Sequence, residues 1–162
     1  MRRLIKQREI VTDEWRYADE DPLGRERALI LPFARWKEER ERWWLWDGKL
    51  GVRIGPTDPV AALEHDFLRV ALVAIEFGGL AEGRGYSQAQ LLRKRYKFTG
   101  ELRAVGKIQR DQLFYMARCG FDAFELPEGA DLDVALTAFN DFTVAYQGSS
   151  DNGLALKRRA VG

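Results

Sequence analysis

The sequence predicts an α/β protein with a mainly parallel sheet, built from βα units in an open or half-barrel arrangement behind an N-terminal elaboration of strands and a helix. Residues 70–77 form the most continuous apolar run of the chain, which is typical of a strand buried on both faces of a parallel sheet. From residue 51 onward, strand patterns alternate with helix patterns, which favours crossover connections. The 162 residues are too few for a complete eight-unit barrel, which usually needs about 250.

The first 50 residues predict an elaboration packed on the main domain. Alternating apolar residues between 4 and 17 indicate short antiparallel strands, and the polar stretch 19–24 ends them. A charged helix is expected over residues 33–46. We therefore divide the chain into an N-terminal region, 1–50, and a βα-repeat domain, 51–147.

The repeat domain is predicted element by element. Pro59 at a first helical position after Asp58 predicts a helix over 60–65 with Asp58 as its N-cap, and Ser87 with Gln90 predicts a capping box. Gly120 is expected to end a helix as its C-cap. The predicted strands are 51–55, 70–77, 101–106, 121–126 and 143–146, and the predicted helices are 60–65, 88–96, 111–119 and 132–139. The tail, 148–162, is expected to be disordered.

The charge balance excludes two classes of partner. Twenty-six basic and twenty-five acidic residues give a formal net charge of +1, so there is no general attraction to nucleic acid or to an anionic membrane. No apolar run approaches the roughly 20 residues that span a bilayer, and the first residues lack the apolar stretch of a signal peptide. We expect a cytoplasmic protein.

The sequence also predicts no metal and no identifiable cofactor. With one cysteine, Cys119, and one histidine, His65, the chain cannot supply the ligands of an iron–sulfur cluster, an attached haem or a structural zinc ion. Cys119 is expected to be a small buried hydrophobe at a helix end. A dinucleotide fingerprint fails because Gln88 stands where its third glycine belongs and Glu101 begins a strand. Flavin bound by a non-standard fold stays open.

Three loops follow the carboxyl ends of predicted strands, where parallel α/β folds bind ligands: 78–87, 106–112 and 127–131. The first two place glycines and cations just before a helix, an arrangement that favours an anion. Guanidinium groups suit the oxygens of sulfate, phosphate and carboxylate. The predicted ligand-binding residues are Gly83, Arg84, Gly85, Ser87, Arg103, Lys107 and Arg110.

An alternative interpretation is that Arg84 or Arg110 simply pairs with a neighbouring carboxylate, such as Glu76, Glu82 or Asp111. If the site is catalytic, Glu76 and Glu125 at two strand ends are the candidate acid–base groups.

Four tryptophans lie in or just after the charged helix: Trp36, Trp43, Trp44 and Trp46. They are interpreted either as a stripe facing the core or as a docking surface, because large aromatics dominate both core burial and binding hot spots. Since Trp43, Trp44 and Trp46 cannot all point the same way on one helix, at least one is expected near the surface.

Three uninterrupted blocks of sequence carry a family resemblance. They read GRGYSQA at 83–89, GELRAVG at 100–106 and RDQLFYMARCGFDAFEL at 110–126. The chain resembles, over roughly residues 50–147, the bacterial domain-of-unknown-function family 934, which is commonly labelled an oxidoreductase of sulfite reduction. Genes of that family tend to lie beside those for assimilatory sulfite reductase, so the resemblance implies a pathway rather than a reaction.

Two functions follow as hypotheses. The first is an accessory protein of assimilatory sulfite reduction that binds the sulfite reductase haemoprotein or another sulfate-assimilation enzyme, together with a small oxyanion. The second is an oxidoreductase or other enzyme acting on a small anionic sulfur or phosphate metabolite, in which Arg84 and Arg110 hold the anion.

Overall fold

In the computed structural model, the described residues are 2–18, 26–78 and 82–146, with the backbone alone described at 82 and 141–146, and they form one sheet flanked by helices. The strands are β1 (Arg3–Lys6), β2 (Glu9–Thr12), β3 (Arg16–Tyr17), β4 (Ala28–Pro32), β5 (Lys49–Ile54), β6 (Val70–Phe77), β7 (Glu101–Gly106) and β8 (Ala123–Phe124). The α-helices are α1 (Phe33–Glu38), α2 (Arg40–Leu45), α3 (Glu82–Gln90), α4 (Arg110–Cys119) and α5 (Leu132–Tyr146).

The sheet is mainly parallel, in the order β2-β1-β8-β7-β6-β5-β4-β3. Neighbours from β3 to β8 are all parallel, while the β1–β2 hairpin adds antiparallel strands beside β8. The predicted fold class, a parallel α/β sheet of half-barrel type with N-terminal strands added, is confirmed. Strand β5 includes residue 50, so the N-terminal region and the βα-repeat domain share one sheet. The division of the chain into these two regions stays a prediction.

The sheet curls until its two edges approach each other. Strands β2 and β3 lie at opposite edges, yet only residues 13–15 join them. A link of that length spans at most about 14 Å. A hydrogen bond of 2.9 Å from the Tyr17 hydroxyl in β3 to Glu125, just after β8, crosses the same gap. The curve therefore encloses an interior, on the face opposite the helices.

Residues alternate between the two faces of each strand, as the pleat of a strand requires. On β6, Val73 and Ile75 join the main core beneath the helices, while Leu72 and Ala74 belong to a second apolar cluster inside the curve. The interior cluster consists of Trp15, Tyr17, Ala28, Ile30, Leu72, Ala74 and Val105. The inside of the curve is thus filled by side chains, as in closed barrels.

Several predicted helix bounds are wrong. The charged helix is two short helices, α1 and α2, that meet at Glu39. The helix expected at 88–96 begins at residue 82 and continues into a π-helical turn, Leu91–Arg95. The helix after Pro59 is one 3₁₀ turn, Val60–Leu63, without a side-chain cap. Asp58 instead accepts a 2.8 Å hydrogen bond from the Gly55 amide.

The strand expected at 143–146 is also wrong, because α5 continues through those residues. By contrast, Gly120 caps α4 with φ +118°, as predicted. The tail predicted to be disordered lies outside the described residues. Of the described helices, none is both long enough and apolar enough to span a bilayer.

Candidate functional sites at the two ends of the sheet

Arg103 is the centre of a buried network of charges inside the curve. It lies on β7 between Glu101 and Val105, and alternation points all three side chains away from the helices. The Arg103 side chain is 1 % exposed. It donates hydrogen bonds of 3.0 and 3.1 Å to Asp13, 2.9 Å to Glu101 and 3.1 Å to Glu125. Three carboxylates therefore surround one guanidinium group.

Two further cations balance this network. Arg2 lies 2.8 Å from Asp13 and 3.3 Å from Glu125, and Lys6 lies 3.1 Å from Glu101. Since β1 runs antiparallel to β8, Arg2 lies at the carboxyl end of the parallel strands and Lys6 towards the amino end. We call Arg2, Lys6, Asp13, Glu101, Arg103 and Glu125 the interior charge network.

Tyr17 lies at the edge of this network nearest the carboxyl ends of the strands. The guanidinium carbons of Arg2 and Arg53 lie 5.1 and 5.2 Å from the centre of its ring, within cation–π range. Its hydroxyl donates to Glu125. We call the group of Arg2, Tyr17, Arg53 and Glu125 the mouth.

The network shifts the pKa values of two of its members. Burial and the neighbouring charge of Glu125 raise the pKa of Tyr17 above its ordinary value, against the opposing effect of Arg103. Burial alone would lower the pKa of Arg103, but the hydrogen bond to Asp13 and the charges of Glu101 and Asp13 raise it overall. Arg103 is thus a permanent cation and Tyr17 a neutral phenol at physiological pH.

The network is chemically saturated. One oxygen of Glu125 accepts from both Tyr17 and Arg103, and the other oxygen lies against Arg2. Both oxygens of Asp13 accept from Arg103 as well. A proton transfer at Glu125 would first have to break these contacts. The arrangement therefore favours structural stabilisation over proton transfer.

The predicted glycine–arginine loop is part of a helix. Gly83, Arg84, Gly85 and Ser87 all lie within α3, so Ser87 does not cap it. The Ser87 hydroxyl donates back to the carbonyl of Gly83 at 3.4 Å. A Cβ at Gly85 would lie 2.6 Å from the Phe77 ring, so Gly85 allows α3 to approach β6 closely.

The predicted cations have separate partners. Arg84 is exposed and donates to the carbonyl of Pro56 at 3.0 Å, on the β5 side of α3. Arg110 donates to Thr137 on α5 at 3.0 and 2.8 Å, and its guanidinium lies 3.9 Å from Asp111. Arg103 belongs to the interior.

Lys107 follows β7 with an exposed side chain and a backbone amide that donates to Phe77 at 3.0 Å. The described contacts thus give Arg84 and Arg110 no common partner, and an anion bound by these cations stays a prediction.

The two candidate acid–base residues lie in different environments. Glu125 is in the interior network, with a side chain 15 % exposed. Glu76 is exposed on β6, near the turn that contains Gly55. Cys119 is 5 % exposed, which confirms it as a buried residue.

The four tryptophans divide between core and surface. Trp36 and Trp43 are each 1 % exposed, and their indole N–H groups donate to Asp66 at 3.1 Å and to Glu39 at 3.0 Å. Trp46 is half-buried against the core, with its ring 5.6 Å from that of Trp43. Trp44 is 38 % exposed. Of the four, Trp44 is thus the one presented to solvent.

Trp44 is one of three exposed apolar residues in the segments that precede β5 and β6, near the amino end of the parallel strands. Leu45 is 88 % exposed just before β5, and Leu68 is 99 % exposed just before β6. The two segments are tied together, because the Arg69 guanidinium donates to the Trp46 carbonyl. We call Trp44, Leu45 and Leu68 the amino-end surface.

A groove of about 410 Å³ adjoins Leu68. Its lining residues are Glu64, His65, Phe67, Leu68, Lys97, Phe98 and Thr99. They come from the loops that precede β6 and β7, so the groove is at the same end of the sheet as the amino-end surface.

Sequence reasoning missed residues at both sites. Arg2, Asp13 and Arg53 gave no motif, because their pairing depends on how far the sheet curls. Leu45 and Leu68 are single apolar residues in polar surroundings, a pattern common on any surface. Among the described residues, no three His, Cys, Asp or Glu side chains are placed to hold a metal ion.

Fold and sites together define a class: a curled, mainly parallel α/β half-barrel whose interior holds an apolar cluster and a buried charge network. The family described as "Bacterial protein of unknown function (DUF934)" matches residues 51–156, and the chain belongs to that family. No protein of curated function matches the sequence.

Proposed function

We propose that this protein is a cytoplasmic accessory protein of assimilatory sulfite reduction, which docks on the sulfite reductase haemoprotein or another enzyme of the pathway through its amino-end surface. The observation that carries the docking role is the exposure of Trp44, Leu45 and Leu68 at one end of the sheet. The pathway rests on the family resemblance described above.

Covering these residues with a partner would be favourable. A leucine side chain gains about 1.5–3 kcal/mol when it moves from water into an apolar environment. An exposed tryptophan such as Trp44 is a residue type enriched at the centre of interfaces, around which polar residues form a rim. The paired charges of the interior network favour the same conclusion, since they leave little there for catalysis.

The test is direct binding of the purified protein to purified sulfite reductase haemoprotein, by surface plasmon resonance. We expect binding that is weakened at least tenfold by the double substitution Leu45→Asp and Leu68→Asp. The matched control is Val134→Asp on α5, since Val134 is a 53 % exposed apolar residue elsewhere. Binding that is absent, or equally affected by the control, would count against the proposal.

The mouth favours a second candidate function, binding of a small oxyanion by this protein as a pathway sensor or as an enzyme. The supporting observation is that Arg2 and Arg53 both present guanidinium groups to Tyr17 at the carboxyl ends of the strands, where parallel α/β proteins hold ligands. Glu76 and Glu125 would then be the proton-handling candidates.

Calorimetric titration with sulfite, sulfate and phosphate tests this candidate. Specific binding should disappear in Arg53→Gln and persist in Arg3→Gln, an exposed arginine of β1. If Arg53→Gln and Arg3→Gln give equal heats of binding, the mouth is not the anion site. An absorption spectrum of the protein purified from its host tests for flavin at the same time.

A further inference from the structure

We propose that the groove beside Leu68 binds an acidic segment of the partner protein that carries an apolar side chain. This inference rests on the proposed function and adds the chemistry of the partner. Its basis is the juxtaposition of a fully exposed leucine, an aromatic floor and a run of cations at one end of the sheet.

The floor of the groove is a rigid aromatic cluster. The Phe67 ring lies 5.3 Å from that of Phe98 and 6.0 Å from that of Tyr96. Phe98 is 4 % exposed, so it is fixed in the core. Leu68 stands on the wall of this groove with 99 % of its surface in solvent. An apolar side chain of a partner would cover Leu68 and occupy part of the groove, with room for its neighbours along the segment.

The segment that precedes β7 and contributes Lys97 to the groove lining is basic. Residues 93–97 include Arg93, Lys94, Arg95 and Lys97 and no carboxylate. Arg93 turns inward, where it donates to the carbonyls of Phe98 and Gly100 at 2.8 Å. The other three cations are exposed. Of the described residues that line the groove, Glu64 is the one carboxylate.

Two of these cations are held in place beside the apolar floor. The Arg95 guanidinium lies 5.9 Å from the centre of the Tyr96 ring, and that ring packs on Phe67. Lys97 has φ +56°, a left-handed conformation that costs a non-glycine residue about 1 kcal/mol. This conformation lies between the π-helical turn and β7, and it places Lys97 in the groove lining.

An acidic protein segment fits this surface better than other anions do. Single-stranded nucleic acids bind through open aromatic faces on which bases stack, whereas Phe98 is buried and Phe67 is half-buried. A lipid surface would meet cations and apolar residues on a flat or convex face, whereas this site is a groove. Carboxylates around one apolar anchor match both its charge and its shape.

The experiment measures fluorescence anisotropy of labelled probes with the full-length protein. The main probe is a ten-residue peptide of glutamates around two central leucines, and the second is the same peptide with glutamines. The groove variant is Arg95→Glu with Lys97→Glu. The control variant is Arg3→Glu with Lys37→Glu, which makes the same charge change with exposed residues of β1 and α1 that do not line the groove.

We expect the glutamate peptide to bind the wild type and the control, and to bind the groove variant at least tenfold more weakly. Leu68→Asp should weaken it to a similar extent, and the glutamine peptide should bind at least tenfold more weakly than the glutamate peptide. Equal binding of the glutamate peptide by the groove and control variants overturns the inference. So does absence of peptide binding, or binding of single-stranded DNA or of vesicles with anionic lipids in its place.

The reductase assay separates this inference from the proposed function. If sulfite reductase binds the wild type and the groove variant equally, the docking role stands and the groove has no part in it. If the peptide binds the groove but the reductase does not bind the wild type, the groove inference stands and the choice of partner is wrong.

Discussion

The two ends of the curled sheet differ in which side chains they bury and which they expose to water. In the interior and towards the carboxyl end, the charged side chains around Arg103 are largely withdrawn from water and paired with one another. At the amino end, apolar side chains such as Leu68 are left in water while cations stand beside them. The carboxyl end of a parallel barrel is the usual place for chemistry, whereas the docking surface that we propose lies at the other end.

The largest effect on stability is expected when Arg103, the cation at the centre of the interior charge network, is removed. Arg103→Ala leaves three carboxylates, those of Asp13, Glu101 and Glu125, with two partly exposed cations as described partners. The excess buried charge is expected to lower the free energy of unfolding by about 3–5 kcal/mol. Urea denaturation measures it, with Lys107→Ala as an exposed control expected to change stability by less than about 0.5 kcal/mol. A loss below about 1 kcal/mol for Arg103→Ala would show that the network is not structural.

Trp36 and Trp44 show the difference between a buried and an exposed aromatic side chain within one short stretch of chain. Trp36→Ala removes a buried ring and the hydrogen bond to Asp66, and it should cost about 3–5 kcal/mol. Trp44→Ala should cost less than about 1 kcal/mol, because the side chain is partly in water already. Equal losses for the two variants in thermal denaturation would mean that Trp44 also supports the core.

A smaller change in the free energy of unfolding is expected for Tyr17→Phe, and this change depends on pH. Tyr17→Phe loses the hydrogen bond to Glu125, which is worth about 0.5–1.5 kcal/mol below pH 9. Since the folded-state pKa of Tyr17 is raised, its contribution is fully present below the unfolded pKa of about 10 and is lost as the pH rises further.

The stability difference between wild type and Tyr17→Phe should therefore narrow between pH 9 and pH 11, measured by urea denaturation at each pH. A difference that widens over this interval would contradict the raised pKa.

The smallest expected effect on stability is at Leu68. Leu68→Asp should change the free energy of unfolding by less than about 0.5 kcal/mol, because the side chain has almost no contact to lose. The same substitution is expected to weaken binding at least tenfold. A variant that unfolds more readily would instead indicate that Leu68 packs within the folded chain.

The parallel sheet could be predicted from the sequence because strand and helix patterns are local. The apolar run of β6 and the glycine that ends α4 need no knowledge of distant contacts. The start of α3 was missed because glycines at 83 and 85 are typical of a loop, whereas Gly85 is required by the Phe77 ring packed on the helix. The sequence predicts that at least one tryptophan lies near the surface, but it does not predict which one. The assignment depends on the break between α1 and α2 at Glu39, which turns the second helix relative to a continuous one.

The candidate sites could be predicted much less well. Arg103 looked like one of several cations near a strand end, and only the curl of the sheet brings Asp13, 90 residues away in sequence, within hydrogen-bond distance. The groove joins two loops about 30 residues apart, before β6 and before β7. Neither pairing has a sequence signature, because each depends on which strands become neighbours.

Hydrogen–deuterium exchange of the protein, alone and with sulfite reductase haemoprotein, tests the central claim most directly. The account predicts slower exchange on binding in residues 44–48, 64–69 and 94–99, at the amino end of the sheet, with residues 13–17 and 53–58 unchanged. Protection confined to residues 13–17 and 53–58, at the carboxyl end, would contradict it.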